Sequence, residues 1–371
     1  MKPVANRIMV VKLGTSTLTA GTPYLSPPRL VELARQVAQL HAAKRDVVIV
    51  SSGAIAAGRE RLKFPALPKD IPAKQMLAAV GQLRLMALYE QVFGLYDLTV
   101  AQVLLTRADL SDRRRYLNSR NTLAALIAQR VIPVVNENDT VATEEIRVGD
   151  NDNLSALVAN LIEADLLVLL TDQPGLYTAD PRLEPAAQLI CEIKEAEIPP
   201  AVWQAAGGAQ HGLGTGGMLT KLQAADLARR SGTRVVIASG SEPEVLTRLA
   251  GGEALGTHFL PVATTLEGRK RYLLAVRRIP GVIHVDNGAA AALHRGGSLL
   301  PVGVVEIGGS FERGDIVKVC APQDVELARG MVNYASSDLL RIRGLKSDAI
   351  EAALGYFYGD EIIHRNNMVL V

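Results

Sequence analysis

Cysteine is nearly absent: the 371 residues hold only Cys191 and Cys320, far apart in the chain. That excludes a disulfide framework and a cysteine-rich metal site, and it fits a reducing compartment. An excess of charge is missing too. Lys+Arg number 40 against Asp+Glu 38, a formal net charge of +2, so charge alone points to neither nucleic acid nor membrane. Long hydrophobic runs are lacking. The opening MKPVANRIMVVKLG carries basic residues, but its apolar run stops at Lys12, and no stretch of about 18 apolar residues occurs later. The expectation is a cytoplasmic chain with neither signal peptide nor membrane span. The six histidines (His41, His211, His258, His284, His294, His364) form no HxH or HxxxH pair, which argues against zinc. There is no GxxxxGK[ST] P-loop and no GxSxG elbow. What is present is ordinary globular material: 48 % apolar and 21 % charged residues, long enough at about 150 residues per domain for two to three domains.

The first 260 residues alternate short β-branched runs with amphipathic helical patterns. Strands are expected at 8–11, 47–50, 98–105, 131–135, 166–170 and 234–238. Helices are expected at 29–43, 73–93, 113–129, 152–163 and 218–231. The strands are continuous apolar runs, as strands covered on both faces should be. The rhythm predicts an α/β domain: an open, mainly parallel sheet sandwiched by helices. Near 260 the pattern changes. Residues 261–280 read as a linker. Residues 281–371, with Gly296-Gly297 and Gly308-Gly309 between short strands, read as a small, mostly β domain.

The residues just after each strand are informative, because ligands of open parallel sheets bind outside the carboxyl ends of the strands. Four such ends read KLGTS, SSGAIAAG, NEND and TDQPG. Turn chemistry alone favours Gly, Ser, Asn and Asp. Lys12 and Asp139, however, are costly in a crevice unless something pairs with them. Lys12 either snorkels to the surface or points an ammonium at phosphate oxygens. In the second case the backbone N–H groups around Gly14 would approach the same anion.

Segment 212–230 runs from a glycine-rich loop into a helix. Gly212, Gly214 and Gly217 satisfy GxGxxG formally but in the wrong place for a dinucleotide fold. Lys221 falls in the first helical turn, where a cation opposes the helix dipole by roughly 0.3–1 kcal/mol and a bound anion would offset it. Segment 135–158 is dense in amides and carboxylates. Helix capping explains one or two of them; the whole set suits an ammonium-bearing ligand or a hydrated Mg²⁺ carried largely by phosphates. Two phosphate-directed lysines beside a polar acceptor pocket suggest a small-molecule kinase, since phosphoryl transfer needs positioning and charge neutralisation more than covalent chemistry.

The ordered set VVKLGTS (10–16), VIVSSGAIAAGR (48–59), NENDTVAT (136–143), GDNDNLSA (149–156), LLTDQPGLYTADPR (169–182) and GTGGMLTKLQAA (214–225) closely resembles the glutamate 5-kinases of the amino-acid kinase family. VDNGAAAALHRGGSLLPVGV and FERGDIVKV resemble the PUA module that many bacterial forms carry. The resemblance implies ATP- and Mg²⁺-dependent phosphorylation of the L-glutamate side-chain carboxylate, opening proline synthesis. By that likeness Lys12 stabilises the transferring phosphoryl group and Lys221 holds ATP phosphates. Asp152 organises the two lysines. Thr215, Gly216, Gly217 and Met218 form the nucleotide loop, and Thr171 and Asp172 line the nucleotide site. Ser52, Asp139 and Asn151 grip glutamate, with Asn136 and Asp150 supporting the pocket. No metal-ligating side chain is implied. The family further implies proline inhibition at a site overlapping glutamate, assembly into dimers or tetramers, and channelling of product to glutamyl-phosphate reductase. Departures are small: Ser51 where Thr is equally expected, and Leu219 where Ser is common.

Acetylglutamate, aspartate and uridylate kinases share the expected fold, but GDNDN and the appended β module favour the glutamate enzyme. RNA binding by that module is disfavoured, because residues 281–371 carry eight Lys/Arg against eleven Asp/Glu and phosphate backbones want a basic face. A catalytically silent sensor of glutamate or proline remains a third reading, against which the retention of both lysines argues.

Overall fold

The computed structural model describes residues 8–68, 70–142, 150–207, 217–262 and 279–371, with the side chain of Asp150 outside the description. The chain separates into two compact units, Met1–Leu110 with Ser119–Thr264, and Ser111–Asn118 with Thr265–Val371.

The first unit is built on an eight-stranded sheet. Its strands are β1 (Ile8–Leu13), β2 (Asp46–Ser51), β3 (Val100–Leu105), β4 (Ile132–Glu137), β5 (Leu166–Thr171), β6 (Glu192–Ile193), β7 (Arg234–Ser239) and β8 (Thr257–Phe259), in the order β3-β4-β2-β1-β5-β7-β8-β6. Every pairing is parallel except β7 with β8. This is the fold class expected from the alternating pattern. β1 is central: the chain fills one side of it first, then crosses to β5 and β7. That reversal opens a crevice at the carboxyl ends of β2, β1 and β5.

Alternation along β1 assigns its faces. Met9, Val11 and Leu13 join a core with Leu30, Leu33 and Val37, and with Leu85, Tyr89 and Phe93. These belong to the helices α1 (Pro27–Ala42) and, beyond α2 (Ala54–Arg61), α3 (Ile71–Gly94). Val10 and Lys12 therefore face the opposite layer. That layer holds α4 (Asp150–Leu161) and α5 (Met218–Arg230), which pack on each other and on β1, β5 and β7. Lys12 thus lies inside the strand, in register with Val50 of β2 and Leu169 of β5, whereas the apolar run alone ends one residue before it.

Two helices touch almost backbone to backbone. A Cβ on Gly81 of α3 would lie 1.8 Å from the carbonyl oxygen of Ala54 in α2, and one on Gly58 would lie 2.0 Å from the carbonyl oxygen of Leu77. Glycine inside a helix costs about 1 kcal/mol relative to alanine, so its presence here answers to this approach. α2 itself starts directly after β2, through Gly53 at φ 96°, a left-handed conformation suited to glycine.

The second unit holds a five-stranded sheet of β9 (Gly281–Val285), β10 (Val304–Gly309), β11 (Ile316–Cys320), β12 (Glu326–Met331) and β13 (Met368–Leu370), in the order β10-β9-β11-β12-β13. Only β9 and β11 pair in parallel. Three short helices, Asn287–His294, Ser336–Ile342 and Ile350–Leu354, complete its core through Leu293, Leu339, Ile342, Ile350 and Leu354. They run from five to eight residues, too short for a hydrophobic period to register in the sequence.

Candidate active site

Lys12, Asp152 and Lys221 meet in the layer above the carboxyl end of β1. Lys12 Nζ is 2.6 Å from Asp152 Oδ1, and Lys221 Nζ donates to Asp152 Oδ2 at 3.3 Å. All three are buried, with Asp152 wholly so and each lysine 5 % exposed. Each comes from a different element for a local reason. Lys12 is carried by the pleat of β1. Asp152 lies in the first turn of α4, where an acid favours the helix dipole. Lys221 lies in the first turn of α5, whose N-cap is the exposed Gly217.

Lys221's unfavourable position against its helix dipole is answered inside the chain by Asp152, where the dipole argument taken alone suggested a bound anion. Thr220 Oγ1 lies 2.7 Å from Asp152 Oδ2 and 2.8 Å from the Gly217 carbonyl, two acceptors for its one proton. Ser155 Oγ donates to the Asp152 carbonyl at 2.5 Å. Burial pushes the Asp152 carboxyl up, but the two ammonium groups outweigh burial and hold it below the usual carboxylate range. Burial pulls Lys12 below the ordinary lysine value; Asp152 works against that pull and Lys221 adds to it. Formally, two cations share one anion.

A second cluster is made of amides. Asn151 Nδ2 lies 3.2 Å from the Ser51 carbonyl, 3.1 Å from Ser52 Oγ and 3.1 Å from Asn136 Oδ1. Asn136 Oδ1 also accepts from the Glu137 N–H at 2.9 Å, and Asn136 Nδ2 donates to Gln82 Oε1 at 2.8 Å. Ser51 is held in turn by Tyr89, with 2.8 Å between their hydroxyl oxygens. Since Asn151 and Asp152 are consecutive on α4, the amide cluster and the lysine pair share one helix turn.

Beside the amides lies a cavity of about 340 Å³ lined by Gln82, Leu83, Leu104, Glu137, Asn138 and Asp139 among others. Burial pushes the Asp139 carboxyl up to about 6. A half-buried acid in this state is suited to an ammonium group.

The sequence-expected residues therefore fall into groups. Lys12, Asp152 and Lys221 form one. Ser52, Asn136 and Asn151 form another, and Asp139 lines the adjacent cavity. A Cβ on Gly14 would sit 3.6 Å from Lys12 Nζ, so its main chain borders the lysines. At the end of β5, Thr171 is buried and its hydroxyl donates to Asp172 Oδ1 at 3.0 Å. Gly217 is exposed and Met218 half-buried at the start of α5. Thr215 and Gly216 lie outside the described residues, as does the side chain of Asp150. Thr220 was not expected, though it stands beside Lys221 in the same motif. Gln82 carries no local signal at all, being one polar residue in the long helical pattern of α3.

The chain is similar to known proteins along nearly its whole length. The model of the "Amino acid kinase family" matches residues 7–239 and that of the PUA domain matches residues 281–354. A glutamate 5-kinase of Photobacterium profundum is 56 % identical over 98 % of this chain and 96 % of its own. One from Shewanella amazonensis is 54 % identical over 98 % and 96 %. One from Deinococcus radiodurans is 54 % identical over 98 % and 99 %. On the matched family model and on identity above one half along nearly its whole length, the chain belongs to the glutamate 5-kinases of the amino acid kinase family.

Proposed function

We propose that this chain transfers the γ-phosphoryl group of ATP to the side-chain carboxylate of L-glutamate, the first step of proline synthesis. A carboxylate oxygen attacks the γ-phosphorus, the bond from that phosphorus to the β–γ bridging oxygen breaks, and ADP leaves as the acyl phosphate forms. The single observation that carries the reading is the sharing of Asp152 by Lys12 and Lys221, one helix residue away from the amide cluster.

The substrate carboxylate is already a nucleophile, so the site needs no strong base. Its task is to bring two anions together, and every ~1.4 kcal/mol of repulsion removed from the transition state is worth tenfold in rate. Lys12, on the central strand, meets the moving phosphoryl group; Lys221, on α5, meets the nucleotide phosphates. Asp152 holds both ammonium groups in one place against their mutual repulsion. Gly14, Thr171, Asp172 and the 215–218 loop complete the nucleotide side. Ser52, Asn136, Asp139, Asp150 and Asn151 complete the glutamate side.

Magnesium enters as part of the nucleotide substrate. Asp152 is engaged by two lysines. Mg²⁺ usually keeps its waters and rides on phosphates.

The kinase chemistry belongs to residues 1–260, joined through 261–280 to the module at 281–371. Proline shares the α-ammonium and α-carboxylate of glutamate and acts as an inhibitor on the same pocket. The enzyme works in the cytoplasm as a dimer or tetramer and hands its labile product to glutamyl-phosphate reductase. The test is formation of γ-glutamyl hydroxamate by the full chain with ATP, Mg²⁺, glutamate and hydroxylamine, repeated with proline. Turnover that needs both substrates and falls with proline is expected; no glutamate-dependent hydroxamate would overturn the assignment.

A further inference from the structure

The amide cluster has a direction, and the backbone sets it. Asn151 faces the Ser51 carbonyl, which only accepts, so its nitrogen must point there. Asn136 faces the Glu137 N–H, which only donates, so its oxygen must point there. That same oxygen then accepts from Asn151, leaving the Asn136 nitrogen to donate to Gln82 Oε1. A flip of any one amide sets two like groups against each other. Gln82 is thereby locked with its Nε2 outward from the relay. That nitrogen is buried and has no hydrogen-bond partner among the described residues.

A buried amide donor without an acceptor is costly. Its surroundings suggest what it awaits. Gln82 lines the cavity that also holds Asp139, whose raised value has burial as its cause. Glu137 lines it as well. A carboxylate entering between two acids is repelled unless a donor meets it. Donor and acid together match the α-carboxylate and α-ammonium of an amino acid. Gly81 adds precision: its close approach to Ala54 fixes the helix turn that carries Gln82 against α2.

We propose that Gln82 is a substrate-binding and specificity-determining residue, its Nε2 donating to the substrate's α-carboxylate while Asp139 takes the α-ammonium. The proposal rests on glutamate being the substrate, and it reserves the γ-carboxylate for the lysine end of the site.

Two variants separate this role from a structural one. Gln82→Glu keeps an oxygen for Asn136 to donate to and replaces the free donor with an acceptor. Gln82→Met removes both. With the donor contacting substrate, both variants raise the KM for glutamate by roughly 10- to 100-fold, Gln82→Glu the more, and leave the KM for ATP within about threefold. 4-Aminobutyrate, which is glutamate without its α-carboxylate, is used as substrate or as competitor. Its affinity should stay within about threefold in Gln82→Met, so discrimination between the two acids collapses. If Gln82 merely braces Asn136, Gln82→Glu behaves as the parent and Gln82→Met weakens both ligands in parallel; either result overturns the proposal. Loss of hydroxamate formation with glutamate in the parent itself would instead overturn the substrate reading, and this proposal with it.

Discussion

Replacing Asp152 by asparagine keeps the shape of the residue and removes the one anion that two buried lysines share. Breaking a buried ion pair by deleting one partner costs about 3–5 kcal/mol, because the remaining charge is left uncompensated. For a domain of this size that is roughly 6–20 °C in Tm. The sign of the pH dependence comes from the two groups. In the parent, Asp152 titrates below its ordinary value, so its stabilisation is present above about pH 4 and is lost as pH falls through the folded value. Lys12 titrates below its ordinary value of 10.5, so the unfolded chain holds more protons than the folded one between the two values, and stability rises with pH across that window. Without Asp152 the Lys12 value drops further and the window widens. The deficit of Asp152→Asn should therefore be largest near pH 7 and shrink towards pH 10. Calorimetric melting of the parent and variant full chains at pH 7, 8.5 and 10, without nucleotide, measures it. Lys12→Met combined with Asp152→Asn removes one charge of each sign and should regain about half the loss or more, a coupling expected of groups in contact. A deficit below about 1 kcal/mol at pH 7, the scale of an exposed pair, would refute the picture of a buried, shared carboxylate. So would a deficit that does not change with pH.

Lys12→Met should leave the fold intact and lower kcat by several orders of magnitude with little change in the KM for glutamate, as steady-state hydroxamate kinetics would report. Asp139, pushed up to about 6 by burial, should lose its charge as pH falls through that value. The KM for glutamate should then climb towards about tenfold per pH unit below 6, and Asp139→Asn should weaken binding while flattening that dependence. Gly81→Val drives a side chain into the Ala54 carbonyl. It should lower Tm by an amount matching the loss of about 1–3 kcal/mol or more that overpacking brings, and should raise the KM for glutamate more than that for ATP.

The sheet was legible because its inner strands are buried on both faces and so appear as apolar runs; β2 and β5 are buried at every position, whereas the edge strand β3 is mostly half-buried. β6 and β8, of two and three residues, are too short to register against their flanks. Lys12 and Lys221 were legible as cations in places where cations are unfavourable, one at the end of a buried apolar run and one in a helix's first turn. Their link through Asp152 came from the family resemblance alone; by spacing, Asp152 looks like one more residue of a helix start. Gln82 was invisible for a deeper reason. Its role depends on the Ser51 carbonyl, the Glu137 N–H and two intervening amides, brought together from four separate elements. No spacing along the chain encodes that.

β1 is flanked on both sides by parallel neighbours, so none of its ladder can open without parting β2 or β5 as well. Its amide protons should consequently trade with solvent deuterium only through opening of the whole first unit. The ammonium of residue 12 is thus mounted on the part of the molecule least able to fluctuate alone, and thermal motion will blur the surrounding loops long before it moves this anchor.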